Sequence, residues 1–133
     1  MRGESVVSLE KCILVVDDHA GMAKTVAEIL RYSGYVVEIA HSGPEALEKL
    51  VDGRFDCLLS DIRMPGMNGI ELYRTIKARR PGLPTLLMTA YSADGLVQEG
   101  LAEGVRAVLP KPLDIDELLA LIALASNGQP VSV

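Results

Sequence analysis

Five short apolar runs, each followed by a segment of helical period, leave this chain few folds to choose from. The runs are CILVV (12–16), YVVEIA (35–40), FDCLLSD (55–61), PTLLMTA (84–90) and RAVLP (106–110). They are short and rich in branched aliphatic residues, as buried strands are. After the first, Met22, Val26, Ile29 and Leu30 fall on one helical face, and Gly34 closes it. Ser42, Pro44 and Glu45 form a capping-box pattern that opens a second helix, stopped at Gly53. The third run leads through the loop IRMPGMNG into IELYRTIKARR, ended by Pro81 and Gly82, and the fourth into SADGLVQEGLAEG. The fifth is followed by LDIDELLALIALA, where Asp114 and Glu117 have the spacing of another capping pair. Successive strands joined through helices run parallel. The expected fold class is therefore α/β, a doubly wound five-stranded parallel sheet flanked by five helices, with right-handed crossovers.

A length of 133 residues and a hydrophobic share of 49% suit one packed domain. Its expected span is 9–126, with loosely ordered tails at 1–8 and 127–133. No apolar stretch is long enough for a bilayer, and the start MRGESVVSLEK lacks a signal-peptide core, so a cytoplasmic protein without membrane contact is expected. The net charge of −5 argues against direct nucleic-acid binding. A basic group at Arg74, Lys77, Arg79 and Arg80 reads as a solvated helix face. Cys12 and Cys57 lie inside apolar runs and read as buried, inert thiols.

In open parallel sheets, function gathers at the carboxyl ends of the strands. The first run ends in Asp17 and Asp18, the third in Asp61, the fourth in Thr89 and the fifth in Lys111. Three acids, a hydroxyl and an amine thus share one edge. Like charges beside a core raise one another's pKa and destabilise the fold, so their retention needs a counter-ion. Clustered carboxylates are hard oxygen donors that suit Mg²⁺. One carboxylate could then attack a phosphoryl donor, with Lys111 and the metal steadying the transferring charge and Thr89 holding a phosphoryl oxygen. One of Asp17 and Asp18 could serve as a helix cap, but capping explains little of the set of three.

The blocks LVVDD, SDIRMPGMNG, LLMTAY and LPKPL, in this order and spacing, resemble the receiver domains of two-component response regulators, and the likeness covers about residues 10–125. It implies the flavodoxin-like (CheY-like) strand order 2-1-3-4-5. It also implies a histidine kinase or phosphotransfer protein as phosphoryl donor and Asp61 as acceptor. Mg²⁺ would be held by Asp17, Asp18, Asp61 and the backbone carbonyl of Arg63, with Thr89 and Lys111 as the hydroxyl and lysine of the site. The Lys111–Pro112 bond is implied to be cis. A downstream protein partner or output domain is implied as well.

Some positions depart from the family pattern. Val108 stands where the family has its switch aromatic, and Pro110 removes a ladder donor at a strand end. Arg63 and Tyr91 fill positions that tune phosphoryl lifetime in the family. The response is therefore expected in residues 90–104, whose helix contains Gly95 and Gly100, and on a surface of 92–103, 106–110 and 114–125. LLALIALA is more apolar than one buried face requires, which suggests a partner or a homodimer through helix 4, strand 5 and helix 5. The expected function is a phosphoacceptor switch that catalyses its own phosphorylation and dephosphorylation. A phosphorylation-independent adaptor with the same fold is the alternative. A phosphohydrolase fits poorly, because Arg63 and His19 stand where its second acid belongs. The chain is expected either to act through contacts or to be part of a longer protein.

Overall fold

The computed structural model describes residues 10–91 and 95–128. Five parallel strands, β1 (Cys12–Val16), β2 (Val36–Ala40), β3 (Cys57–Asp61), β4 (Thr85–Thr89) and β5 (Ala107–Pro110), form one sheet in the order β2-β1-β3-β4-β5. They alternate with α1 (Ala20–Tyr32), α2 (Gly43–Asp52), α3 (Gly69–Arg79), α4 (Gly95–Glu103) and α5 (Ile115–Ser126). This is the CheY-like, flavodoxin-like arrangement.

Most of the strands start later than the apolar runs, for local reasons. Tyr35 gives its N–H back to Leu30 at the end of α1. Asp56 gives its own N–H to the Cys12 carbonyl and accepts the Cys12 N–H on its carboxylate, both at 2.8 Å, so it ties β3 to β1 without joining the ladder.

Alternate strand residues face opposite layers. Ile13, Val15, Leu59, Met88 and Leu109 pack with Val26 and Leu30 of α1 and Leu118 and Ile122 of α5. Leu14, Val16 and Leu58 face Leu50 of α2 and Leu72 and Ile76 of α3. Leu87 and Ile62 meet Ile70 and Tyr73 of α3 and Val97 of α4, with half-buried Val108 beside them. Cys57 is buried, which lifts its thiol pKa to about 12. Cys12, expected to be buried, is only partly covered because it opens β1 at the sheet's amino edge.

The helix ends refine the expected caps. Ser42 accepts the Glu45 N–H, but the Glu45 carboxylate takes the N–H of His41, one residue before the cap. Asp114 accepts the Glu117 N–H. A complete capping box joins Asn68, in the stretch read as loop, to Glu71 in the helix that follows. Asn127 caps α5, and Gly128, at φ +72°, donates its N–H to the Ala125 carbonyl. Tails 1–8 and 129–133, and the expected start of α4 at 92–94, lie outside the described residues.

The basic group is more engaged than a solvated face. Arg74 pairs with Glu99 and Glu103 of α4, while Lys77 Nζ and the Tyr73 hydroxyl donate to the Glu103 carbonyl at 2.6 and 3.2 Å. Arg80 donates to the carbonyls of Leu50 and Gly53 at the end of α2. The C-terminal end of α4 is thus tethered to α3, and buried Gly100 lets it approach Ile70 and Leu87. In α5, Leu118, Ile122 and Ala125 are buried, Leu119 and Leu121 pack partly against the core, and Ile115 is half exposed.

Candidate functional site

The parallel strands deliver their carboxyl ends to one edge, and the backbone fixes what stands there. Asp17 extends the ladder one residue past β1, its N–H donating to the Ala40 carbonyl at 3.1 Å. Its side chain is fully buried, and Oδ1 accepts the His19 N–H at 3.0 Å. His19 is the N-cap of α1 without a side-chain bond, so neither Asp17 nor Asp18 is the cap residue of that helix. Asp18 is exposed, and Asp61 closes β3 at 8% exposure. One carboxylate oxygen from each of Asp17, Asp18 and Asp61 lies within 4.8 Å of the others.

Lys111 enters from β5. Its N–H donates to the Thr89 carbonyl at 2.8 Å, and its Nζ stands 3.4 Å from both Asp17 Oδ2 and Asp61 Oδ2. The Lys111–Pro112 peptide is cis. Pro110 is tolerated because β5 is an edge strand. Thr89 ends β4 fully buried, and its Oγ1 accepts the Tyr91 N–H at 2.9 Å. The hydroxyl therefore retains its own hydrogen to donate.

Burial pushes the Asp61 carboxyl above the ordinary range, Asp17 adds to that rise, and Lys111 opposes it. Three carboxylates face one ammonium group here. A small divalent cation would restore the balance, and the all-oxygen donor set, open to solvent at Asp18, fits Mg²⁺.

This constellation decides the comparison with known proteins. Residues 13–123 match the model of the response regulator receiver domain. The chain belongs to that family. A response regulator receiver protein of Anaeromyxobacter sp. (strain Fw109-5) is 44% identical over 108 residues, 81% of this chain and 45% of that protein. The chain thus spans less than half the length of such curated relatives. The CheY-like receiver domain protein of Methanospirillum hungatei JF-1 superimposes with a TM-score of 0.84 at 33% identity, covering 89% of this chain and 94% of that one. Response regulator TrrA of Thermotoga maritima, in complex with Mg(2+)-BeF, gives 0.77 at 33% identity over 85% and 96%.

In this receiver domain the structure gathers Asp17, Asp18, Asp61 and Lys111 and places Thr89 at the end of the adjoining strand. Arg63 stands two residues past Asp61, and its guanidinium lies 5.5 Å from the centroid of the Tyr91 ring. Sequence reasoning singled out both residues but missed that they stack, because no pattern links positions 28 apart. It also missed the Ser60 hydroxyl, which donates to the Asp61 carbonyl at 2.9 Å. Asn68 could have been found, since N-x-x-E is a capping signature.

Proposed function

We propose that Asp61 accepts a phosphoryl group, in a Mg²⁺-dependent reaction, from a histidine kinase or phosphotransfer protein. The observation that carries this is the position of the Asp61 carboxylate, 3.4 Å from the Lys111 ammonium and within 4.8 Å of two further acids. Mg²⁺ would be held by Asp17, Asp18, Asp61 and the Arg63 carbonyl, where it would neutralise charge on the phosphoryl oxygens. An Asp61 oxygen attacks phosphorus, forming the acyl-phosphate P–O bond as the donor's P–N bond breaks, and the leaving imidazole nitrogen keeps the electron pair and takes a proton from solvent. Lys111 steadies the negative charge on the equatorial oxygens of the transferring phosphoryl group, and the Thr89 hydroxyl donates to one of them. Hydrolysis of the acyl phosphate resets the switch.

Phosphorylation adds charge and acceptor oxygens at Asp61, which draws Thr89 and Lys111 inward. Val108 has no ring to sweep into the space behind the hydroxyl. The response therefore passes through the backbone after Thr89 and through α4, within residues 90–104, of which 92–94 lie outside the described residues. It reaches a surface of α4, β5 and α5 that would serve a downstream partner, an output domain or a second copy. We place this activity in the cytoplasm, and no helix of the described residues is long and apolar enough to cross a membrane. A phosphorylation-independent adaptor has no need of three mutually repelling acids gathered around one lysine.

The test is incubation with acetyl phosphate and Mg²⁺ followed by intact-mass analysis. The wild type gains one phosphoryl mass, and Asp61→Asn, folded by circular dichroism, gains none. Equal labelling of the variant moves the acceptor elsewhere.

A further inference from the structure

We propose that Gly69 is a positioning residue for the metal and phosphoryl site, acting through the backbone of Asp61, Ile62 and Arg63. This inference rests on the function proposed above. Gly69 is the first residue of α3, where alanine would favour the helix more. No left-handed backbone angle at Gly69 explains the choice, since the positive-φ glycines are 34, 66, 104 and 128. Space explains it. A Cβ at Gly69 would overlap the Asp61 carbonyl oxygen, and would lie 3.0 Å from Ile62 Cα and 3.2 Å from the Asp61 carbonyl carbon. All three atoms are main chain, so nothing can swing aside.

The closeness is enforced from both sides. The Gly69 N–H donates to the Ile62 carbonyl at 2.8 Å, and the Ile62 N–H donates to the Met88 carbonyl at 2.9 Å. The Asn68–Glu71 capping box fixes where α3 begins, so the helix cannot slide to make room. Both polar groups of Ile62 are thereby held, which fixes the Ile62–Arg63 peptide one residue before the Arg63 carbonyl. A side chain at 69 must push the acceptor's own backbone out of place.

Gly43 is the internal control. A Cβ there would come within 2.5 Å of Met67 Sδ, which is just as tight, but the neighbour is a flexible side chain that can turn away. Gly69→Ala and Gly43→Ala should therefore differ in kind. The experiment titrates Mg²⁺ into wild type and both variants, following amide chemical shifts in the metal-free and loaded states. Gly69→Ala should move the metal-free amides of 61–63 and weaken Mg²⁺ about tenfold or more, the usual cost of disturbing a metal site's supporting groups. Gly43→Ala should bind Mg²⁺ within twofold of wild type. An amide-to-ester replacement at Gly69 deletes its N–H without adding an atom and should also weaken Mg²⁺ severalfold. Wild-type affinity in a folded Gly69→Ala chain overturns the assignment. So does an unfolded Gly69→Ala chain accompanied by an ester variant that binds Mg²⁺ normally. A wild type that binds no Mg²⁺ and takes no phosphoryl refutes the underlying function instead, which keeps the two failures apart.

Discussion

Among the described residues Lys111 is the cation placed between the buried acids, and its removal gives a measurable test of the site's electrostatics. At 3.4 Å each attraction, to Asp17 and to Asp61, is about 5 kcal/mol gross at an effective dielectric of about 20. Desolvation cancels most of that, and deleting one partner of a buried pair costs about 3–5 kcal/mol. Asp61 can escape part of the cost by taking a proton, because burial and Asp17 already raise its pKa. The lower figure, about 3 kcal/mol, is therefore expected for Lys111→Met in metal-free protein near pH 7. An unfolding entropy of about 2.1 cal/mol/K per residue gives about 0.28 kcal/mol/K for 133 residues, so Tm should fall by about 10 °C.

The pH dependence has a fixed sign. A carboxyl whose pKa is raised by folding contributes stability below its unfolded value and loses it as pH rises through the folded value. Lys111 opposes that rise, so without it the folded carboxyl shifts further and the loss grows. The Lys111→Met penalty should be small near pH 4.5 and larger at pH 8. Thermal melts in EDTA across this range measure it, and added Mg²⁺ should recover more stability in the variant than in wild type, where the ammonium already offsets the acids. A variant that melts within about 3 °C of wild type in EDTA at pH 8, or whose penalty shrinks with rising pH, refutes this reasoning.

Asn68→Ala removes one half of the capping box at α3 and should cost about 1 kcal/mol, read as a lower urea midpoint at unchanged slope. Gly100→Ala places a Cβ 2.7 Å from Ile70 Cδ1. Despite the better helix propensity of alanine, it should destabilise the fold by about 1–3 kcal/mol in the same assay. The Cys57 thiol, buried and lifted to about 12, should resist iodoacetamide at pH 8 in the native protein and react only on unfolding. Alkylation of native Cys57 within minutes would contradict the packing of β3.

The architecture was legible because its signal is periodic. Each strand lies within an apolar run, and Gly34, at φ +102°, ends α1 where the pattern stopped. The acids and Lys111 were legible because the parallel order forces strand ends onto one edge, so the last residue of each run is a neighbour of the others. Contacts that depend on long side chains were not. Nothing local links Arg74 to Glu99 and Glu103, or Arg63 to Tyr91, since such pairs are set by how α3 and the loop after β4 are packed. Gly69 was passed over for a related reason. A glycine in a loop motif reads as a turn residue, and only the approach of α3 to the Asp61 carbonyl shows that volume decides it.

The distribution of unfavourable choices across the sheet is itself an argument about function. At the amino edge, Asp56 and Arg80 satisfy backbone groups, and the chain behaves as a fold selected for stability would. At the carboxyl edge, Asp17 and Asp61 sit buried as like charges, Thr89 carries a fully buried hydroxyl, and α3 opens on a glycine although helix propensity alone favours alanine. Each choice runs against a local preference for burial or helix formation. What they share is the space between the ends of β1, β3, β4 and β5. Natural sequences break local rules chiefly where function requires it, and here the exceptions converge on one carboxylate. That convergence makes Asp61, more than any single motif, the place where chemistry is expected.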